Sequence, residues 1–509
     1  MAPWLYGTNS YLNVALLISA SCIFAVTSGY DTALMNGLNI LPAYKSYFKL
    51  TTATKALLTS STYIGSSVSC IAFGYVANII GRKRSIILSA IVKLIGVVLM
   101  ASAQNVAMFC LGRIFLGLGS GISGTVAPAW LAETLPVSFR GRGLSLIYAV
   151  WYVGSLLAAG VTYGTSSYVG DAGWRIPAAL QAIFSVLCLI ILGFTPESPR
   201  WLVYRGRNDE ALDIIARTHS NGDMNDPVTL LQYKEIVDTL NWEKENGESL
   251  GYWEILKTKG SRKRVMLACS VAVLNSLSGN SIVSYYLGTM LTNAGIKSSH
   301  TQLEINICLS AFCLVIAMIG SQLSDKMGRR PMALISVGAL TVFMFIVGGL
   351  TAGFGSGGNQ SGVFATVAMI FLFQGSYSFG CTNMTTMYPP EVLNYSIRTT
   401  GMAMWTMTVN LLGLFVTFAF PFALAAISWK LYMINAGWDV LEFAYIYFCW
   451  IETRGKTMEE IDRLIDGEKH SDVPDLEVVV QGKIDVSDAL ANVDLVGGTK
   501  TTKAVVQEV

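Results

Sequence analysis

The sequence predicts an all-α membrane protein with twelve transmembrane helices, arranged as two six-helix bundles joined by a cytoplasmic helical linker. Of the 509 residues, 52% are hydrophobic and 13% are charged, whereas soluble domains carry about 25% charged residues. Twelve apolar segments are long enough to cross a bilayer, and motifs of the first half recur in the second. A soluble protein this apolar would lack enough polar surface to cover itself.

The apolar segments fall into two groups of six, separated by a polar stretch, and each has about the 20 residues that a spanning helix needs. The first six cover residues 11–33, 56–77, 86–104, 106–128, 142–163 and 175–194. The second six cover residues 264–291, 303–323, 332–352, 361–387, 399–424 and 429–450. The predicted units are an N-terminal bundle (1–194), a linker with short helices (195–263), a C-terminal bundle (264–451) and a mostly disordered tail (452–509).

The loops between these segments predict how the chain is oriented. Cytoplasmic loops carry an excess of Lys and Arg, and here every second loop is basic. These loops contain Arg82, Lys83, Arg84, Arg140, Arg142, Lys326, Arg329, Arg330 and Arg398, and the 195–263 stretch is richer still. Both termini and the linker are therefore predicted to be cytoplasmic.

Three motifs of the first half recur in the second half. The segments ETLPVSFRGRG (133–143) and EVLNYSIRTTG (391–401) both read E-x-L-x-x-S-x-R-x-x-G. NIIGRKR is echoed by DKMGRRP, and TPES more loosely by IETRG. Three echoes in order at a similar offset indicate a duplication, which is typical of transporters with a substrate site between two repeated bundles.

The segment GLGSGISG contains the pattern G-x-G-x-x-G, formed by Gly119, Gly121 and Gly124. A dinucleotide-binding loop with this spacing must follow a β-strand in a soluble βαβ unit, whereas this one lies inside the fourth apolar segment. Small residues four apart, such as Gly117 and Gly121, let helices approach closely in lipid. We interpret the glycines, Gly119 and Gly124 included, as a helix-packing surface.

The sequence lacks the features that are typical of nucleic-acid-binding, metal-binding and nucleotide-binding proteins. The net charge of +2 does not favour binding to nucleic acid. The three histidines are far apart, and the nine cysteines do not have the spacing of a zinc site or of a disulfide framework. The sequence contains no Walker A motif. We therefore expect no cofactor, no metal site and no enzymatic activity, and a lipid bilayer as the surroundings of the chain.

Motifs shared with a known family are spread along the chain from about residue 11 to residue 465. They are GRKR, GRIFLGLGSG, ETLPVSFRGRG, WRIPAALQ, TPESPRWLV, SGNSIVSYYL, DKMGRRP, YPPEVLNYSIR and IETRGKTMEEID. With these motifs the chain resembles the sugar-porter branch of the major facilitator superfamily, specifically the fungal lactose-permease-like and hexose transporters. The resemblance implies the fold of that superfamily, alternating access between the bundles, a sugar or related metabolite as substrate, and often protons as a second substrate.

The chain also departs from that family, both in a cytoplasmic loop motif and near the expected substrate site. Asn78 stands where the family has an aspartate, and Asn275 and Ser276 stand where it commonly has glutamines. The favoured function is proton-coupled import of a sugar across a fungal plasma membrane. The departures keep open a non-sugar cargo, such as a polyol, an organic acid or a secondary metabolite, with export included. A nutrient sensor that does not transport is a further alternative, which the short tail disfavours.

Asp31, near the end of the first span, is the candidate for proton coupling. An ionised carboxylate at membrane depth costs roughly 2.5–3.5 kcal/mol on insertion scales, so it needs a partner, a water-filled cavity or a proton. Arg113 in the fourth span is the natural partner, and the resemblance implies such a pair in symporters. The alternative is that Asp31 caps the outer helix end in water. Lys93, in the third span, is interpreted as a side chain that extends to the membrane surface.

Two larger groups of candidate residues complete the predicted site. The repeat supplies matched charges at the cytoplasmic ends of spans, which we expect to pair between the bundles and hold the outward-facing state; their alternative role is to set the topology. This predicted gate consists of Arg82, Glu133, Arg140, Glu197, Asp325, Arg329, Glu391, Arg398 and Glu452. The family resemblance implies substrate contacts from hydrogen-bonding and aromatic side chains near the midplane, each with helix packing as its alternative role. These are Tyr148, Trp151, Gln181, Asn275, Asn280, Tyr285, Tyr286, Asn383, Trp405 and Asn410.

Overall fold

The computed structural model describes nearly all of the chain up to residue 454. The described residues are 7, 9–168, 170–245, 255, 257–355, 359–393, 397–454, 461 and 465. The predicted disordered tail lies almost entirely outside them. The described part is built of helices and contains no β-strand.

The first half of the chain consists of six long helices and one short one. They are α1 (Ser10–Ile40), α2 (Pro42–Tyr47), α3 (Thr52–Ile80), α4 (Arg82–Ala101), α5 (Val106–Thr134), α6 (Val137–Thr165) and α7 (Ala172–Gly193). Polar side chains before three of them accept backbone N–H groups of the first turn, which would otherwise lack partners. These capping residues are Asn9, Thr51 and Asn105.

The linker forms three helices on one side of the molecule, which we call the linker side. They are α8 (Pro199–Tyr204), α9 (Asn208–His219) and α10 (Pro227–Glu245). Their apolar residues, among them Trp201, Leu202 and Ile214, form a small core of their own. The predicted helical linker is therefore confirmed.

The second half contains six spans, two of which are broken into shorter helices. The helices are α11 (Lys259–Leu277), α12 (Asn280–Asn293), α13 (Ser299–Met327), α14 (Arg329–Phe354), α15 (Gln360–Ser376), α16 (Thr382–Val392), α17 (Arg398–Ile427) and α18 (Lys430–Cys449). Gly279, in the left-handed conformation with φ +78°, separates α11 from α12. A π-helix, Tyr377–Cys381, separates α15 from α16. Broken spans of this kind are common where transporters bind substrate.

With each broken span counted once, the described chain has twelve helical segments of spanning length, as predicted. Nine of the described segments are also apolar enough to cross a membrane by composition. Among the other three, α3 is rich in Ser and Thr, and α18 carries Lys430, Asp439 and Glu442.

The two halves contact one another through α1 with α12, α3 with α17 and α6 with α13. On the side opposite to the linker, which we call the far side, polar contacts join them. Asn36 Nδ2 donates to Asn306 Oδ1 at 3.1 Å, and Asn39 Nδ2 donates to the Tyr285 carbonyl at 3.2 Å. Lys55 Nζ donates to Thr289 Oγ1 at 2.7 Å. The far side is therefore closed in this structure.

The glycines of α5 pack against two neighbouring helices. A Cβ atom on Gly117 would lie 1.9 Å from the Thr62 carbonyl oxygen of α3, and one on Gly121 would lie 2.0 Å from Ser69 Oγ of the same helix. Gly119 faces α4 instead. Their predicted role in helix packing is confirmed. Gly124 is the exception, because a Cβ there would meet nothing within 4 Å in the described structure.

Candidate substrate and proton site

A polar cavity lies between the two halves, near the middle of the long helices. It is lined by Thr32, Ala33, Asn36, Trp151, Tyr152, Ser155, Val283, Ser284, Asn306, Leu309, Ser310, Cys313 and Gln374. Its volume is about 40 Å³. One water needs roughly 10–15 Å³ measured in this way, so the cavity holds about three waters. A sugar is several times larger and can enter only if the halves move apart.

The lining of the cavity offers hydrogen bonds and carries no charge among the described residues. Three buried amide atoms there lack a hydrogen-bond partner within the described structure: Asn36 Oδ1, Asn306 Nδ2 and Gln374 Oε1. A buried polar group without a partner costs about 1–3 kcal/mol. These atoms are therefore suited to bind hydroxyl groups of a neutral ligand.

Contacts beside the cavity join the halves through α6. Ser378 Oγ donates to the Tyr152 hydroxyl at 2.7 Å, and that hydroxyl lies 3.3 Å from Thr382 Oγ1. Ser155 Oγ lies 3.3 Å from Ser310 Oγ. Ser378 belongs to the π-helix, so the break in this span places a hydroxyl next to the candidate site.

Three of the predicted substrate residues lie at or beside the cavity. Trp151 lines it. Asn280 Oδ1 accepts from Gln374 Nε2 at 2.7 Å, and Tyr285 directly follows Ser284 of the lining, with its hydroxyl 3.0 Å from the Tyr63 hydroxyl of α3. The side chain of Tyr148 is outside the described residues.

The other predicted substrate residues do not line the cavity in this closed form, and their roles stay predictions. Asn275 accepts from the Tyr377 hydroxyl, and the Tyr286 hydroxyl donates to the Thr417 carbonyl at 2.5 Å. Asn383 donates to the Phe379 carbonyl at 3.2 Å, and Asn410 to Cys70 Sγ at 3.2 Å. Gln181 and Trp405 are buried with side-chain nitrogens that lack partners in the described part.

Sequence reasoning missed most of the cavity lining, although a signal was present. Polar residues recur one helical turn apart inside apolar spans, as in Thr32 and Asn36 of α1 or Asn306 and Ser310 of α13. Residues i and i+4 share one face of a helix. Gln374 has Ser378 one turn later in its span, but among the described lining residues it is the one contributed by α15, and only the fold places it at the cavity.

Asp31 and Arg113 form a buried ion pair between α1 and α5. Arg113 Nη1 lies 2.5 Å from Asp31 Oδ1, and the exposed fractions of the two residues are 1% and 8%. Asp31 directly precedes Thr32 and Ala33 of the cavity. The predicted pairing is thus present. The alternative, a helix-end cap in water, does not match this burial.

Lys93 does not extend to the membrane surface, which corrects the sequence interpretation. Its exposed fraction is 3%, and Nζ lies 4.6 Å above the centre of the Phe24 ring inside the first half. The aliphatic stem packs on Gly119 of α5. A side chain enclosed by α1, α4 and α5 cannot reach the headgroups.

Three of the predicted gate residues of the first half, Arg82, Glu133 and Glu197, form one cluster on the linker side. Arg82 Nε lies 3.3 Å from Glu133 Oε2, and Glu133 also accepts from the Ser198 hydroxyl. Glu197 accepts the Lys83 backbone N–H, at the start of α4, at 2.9 Å. Burial raises the pKa of the Glu197 carboxyl, and the backbone N–H groups act in the opposite direction.

The second half repeats this cluster. Arg329 Nη2 lies 2.8 Å from Glu391 Oε1, and the Thr453 hydroxyl donates to Glu391 at 2.6 Å. Glu452 accepts the backbone N–H groups of Arg329 and Arg330, both at 3.0 Å. In each half a carboxylate therefore binds the positive end of a helix, and these two carboxylates, Glu197 and Glu452, stand in the echoed segments TPES and IETRG.

Glycine is required at the turn before each of these helices. Gly81 and Gly328 have φ of +99° and +93°, a region that residues with a side chain rarely adopt. A Cβ atom would also lie 2.6 Å from an oxygen of Glu197 or 2.7 Å from one of Glu452.

Among the described side chains, the gate ion pairs join residues of the same half rather than of opposite halves. The side chains of Arg140, Asp325 and Arg398 are outside the described residues. Pairing between the bundles therefore stays a prediction. The observed pairs hold helix ends together within each half.

Replacing Glu391 by Ala is expected to shift the protein towards a form open on the linker side, because Arg329 and Thr453 lose their shared partner and the linker-side helix ends of the second half are no longer held in place for closure. The reporter is Cys70, which is buried at the contact of α3 with α17. Its maleimide labelling, in a background without the exposed Cys308 and Cys449, should become several-fold faster. Glu210→Gln, at an exposed pair on α9, is the control. Equal labelling rates in the unmodified protein, Glu391→Ala and Glu210→Gln would contradict the gate role of Glu391.

Two halves of six helices, a polar cavity between them and a buried ion pair beside it define the architecture of a secondary membrane transporter. Residues 17–465 match the family described as Sugar (and other) transporter. The chain therefore belongs to this family, whose members are transporters rather than enzymes.

Individual relatives and one solved structure agree with this assignment. The chain is 28% identical to the MFS glucose transporter mfs1 of Aspergillus flavus, over 94% of this chain and 96% of that protein. It is 26% identical to Probable polyol transporter 6 of Arabidopsis thaliana, over 91% of this chain and 96% of that protein. The proton:xylose symporter XylE bound to 6-bromo-6-deoxy-D-glucose has the same fold, with a TM-score of 0.74 and 22% identity over 90% of this chain and all of that one.

Proposed function

We propose that this protein imports a neutral sugar together with a proton across the plasma membrane by alternating access. The observation that carries the proposal is the uncharged cavity between the halves, with three buried amide atoms free to bind hydroxyl groups. The family, and the relative named as a glucose transporter, support a sugar as the substrate.

Proton coupling rests on the position of the Asp31–Arg113 pair, directly behind the cavity wall. While Asp31 is ionised, the attraction to Arg113 holds α1 against α5. Protonation of Asp31 removes that attraction and lets the two helices separate. Because a bare carboxylate is costly in a drier, closed site, the sugar-loaded protein does not change state until Asp31 is protonated, whereas the empty protein returns with the Asp31–Arg113 pair intact. Sugar and proton then cross together.

The orientation proposed for this cycle places the linker side in the cytoplasm. The basic loops and the gate clusters lie on that side, in keeping with the excess of Lys and Arg in cytoplasmic loops. The far side, closed here by Asn36, Asn39 and Lys55, would then be where substrate enters.

A polyol is the second candidate substrate, and the same cavity favours it over an organic acid. The described lining contains no cation to bind a carboxylate, whereas its hydroxyl and amide groups suit any polyhydroxylated neutral molecule. Among the relatives, one is named as a polyol transporter.

The test is uptake into vesicles that contain the purified protein and carry an imposed pH difference. Labelled glucose, xylose, a linear polyol and an organic acid are compared. Accumulation of a neutral sugar, abolished by a protonophore, is the expected result. Preference for the polyol would favour the second candidate, and uptake of the acid alone would overturn both.

Replacing Gln374 by Ala is expected to raise the KM for sugar roughly two- to tenfold, since one hydrogen bond contributes roughly 0.5–1.5 kcal/mol. Gln374 lines the cavity with a free Oε1. Gln181→Ala is the matched control, because Gln181 is also buried and without partners in the described structure but does not line the cavity. Initial uptake rates over a range of sugar concentrations measure both. A larger effect at Gln181 would contradict the assignment of the cavity.

A further inference from the structure

Two acidic side chains are buried in the last span of the second half. Asp439 and Glu442 of α18 have exposed fractions of 0% and 7%. They stand three residues apart, so they are neighbours on one face of the helix. The buried face of α18 packs mainly on α14. The transport cycle described above uses neither of these acids.

The helices that pack against α18 bring no cation to the two carboxyl groups. Beyond their first two turns, α11, α14 and α17 contain no charged residue, and their only titratable side chain is the Cys269 thiol. A second thiol, that of Cys381, faces the acids from the π-helix. Arg330, at the start of α14, donates to a backbone carbonyl of α18 instead. Lys430 is exposed at the start of α18, nine residues or about 14 Å before Asp439.

The hydrogen-bond donors around the two carboxyl groups are too few for ionised carboxylates. Asn435 Nδ2 lies 3.3 and 3.4 Å from the two oxygens of Asp439, which is longer than an ordinary N–H···O bond. Trp438 Nε1 donates to Glu442 Oε1 at 2.7 Å, whereas Glu442 Oε2 is buried without a partner in the described structure. An ionised carboxylate offers about four acceptor positions. When it is buried without a counter-ion, the group takes up a proton instead.

The two acids are connected to the candidate substrate site through the break in the seventh span. A Cβ atom on Gly279, at that break, would lie 2.9 Å from Asn435 Nδ2. The amide that contacts Asp439 therefore packs against the turn between α11 and α12. The next residue, Asn280, accepts from Gln374 of the cavity lining at 2.7 Å. The acids thus lie behind the second-half wall of the cavity.

We propose that Asp439 and Glu442 form a second proton-binding site, in which at least one of the two carboxyl groups carries a proton in the closed form. Acidic side chains at membrane depth pair with one another and mark proton pathways in pumps and transporters. A metal cation is disfavoured, because the contacts of these carboxyl groups come from N–H donors rather than from further oxygen ligands. The site is separate from Asp31, which lies in the first half and has Arg113 as its cation.

The test uses dicyclohexylcarbodiimide, which reacts with protonated carboxyl groups in apolar surroundings, on the purified full-length protein at neutral pH. Trypsin cleaves after Lys430 and Arg454, so the peptide 431–454 contains both acids. Glu452 in the same peptide is an internal control, because it accepts two backbone N–H groups on the linker side. Fragmentation in the mass spectrometer identifies the modified residue. Asp439 or Glu442 should be labelled about tenfold more than Glu452, the ratio that one pH unit of difference in protonation gives.

Variants of the same size identify the site. Asp439→Asn and Glu442→Gln should each retain labelling at the remaining acid, and the double variant should lose it. Asp31→Asn should leave the labelling of this peptide unchanged, because the two sites are independent. Failure of the proposed function would appear separately, as an absence of pH-driven sugar uptake in the unmodified protein.

Two results in the unmodified protein would overturn the proposal, whether or not the variants fold well. The first is labelling of Asp439 and Glu442 no stronger than that of Glu452, which would mean that both acids are ionised. The second is protection from labelling by sodium but not by choline, which would mean that the pair binds a metal cation rather than a proton.

Discussion

Asp31→Asn is expected to abolish pH-driven accumulation of substrate while leaving exchange of substrate across the membrane. The Asn side chain has no charge at any pH, so Arg113 loses its ionic partner and no proton is bound or released in the cycle. Exchange needs no net proton movement and can continue. A difference of two pH units can drive accumulation of about a hundredfold with one proton, because each unit corresponds to about 1.4 kcal/mol. In the variant the ratio of internal to external substrate concentration should fall to about one, the value of passive equilibration.

The measurement uses one vesicle preparation for both readouts, net uptake under a pH difference and exchange at equal pH. Asp171→Asn is the matched control, because Asp171 forms an ion pair with Arg175 in which about half of the Asp171 side chain is exposed to solvent. It should behave like the unmodified protein in both assays. An Asp31→Asn protein that still concentrates substrate would remove Asp31 from the coupling mechanism.

Gly121→Leu is expected to prevent normal packing of α5 on α3, with a large loss of folded protein. A Cβ atom alone would lie 2.0 Å from Ser69 Oγ and 2.7 Å from the Ser66 carbonyl oxygen, and a leucine side chain extends further. Inserting atoms into a packed interior typically costs about 1–3 kcal/mol, occasionally more. Purified yield and the melting temperature, followed by size-exclusion chromatography on heating, measure the effect.

Gly124→Leu is the control for this experiment. Gly124 belongs to the same motif, but a Cβ there would meet nothing within 4 Å of the described structure. Its variant should fold with nearly normal yield and transport. Equal losses at Gly121 and Gly124, or binding of NAD by the unmodified protein in calorimetry, would contradict the assignment of these glycines to helix packing.

Much of the fold was predictable because the bilayer imposes a length and a composition on each span. The breaks in two spans were not predicted, because residues 264–291 and 361–387 each have the length of a single span, although polar residues interrupt both. Gly279 breaks the first by a left-handed backbone conformation, and the π-helix interrupts the second. Both breaks depend on packing against neighbouring helices, which leaves little trace in the hydropathy of one segment.

The candidate site was predictable where charge is involved and much less so elsewhere. An acidic residue within a span, such as Asp31, is costly enough to draw attention, and a basic residue in a nearby span is its natural partner. The neutral residues of the cavity gave no comparable signal, because Ser, Thr and Asn also occur in ordinary helix contacts. Only Trp151 was predicted among those that line it.

The sequence by itself determined the membrane class, the number of spans, the duplication and the pair of Asp31 with Arg113. The duplication follows from motifs that recur in both halves, and the other three follow from a local cost, either exposure of a polar backbone to lipid or burial of a charge. The tertiary structure alone decided that Gln374 reaches the cavity and that Lys93 points inward. It also decided that no side chain of the described residues packs against Gly124. The physical reason is that a helix presents several faces, and only its neighbours determine which of them is enclosed between helices and which is left free.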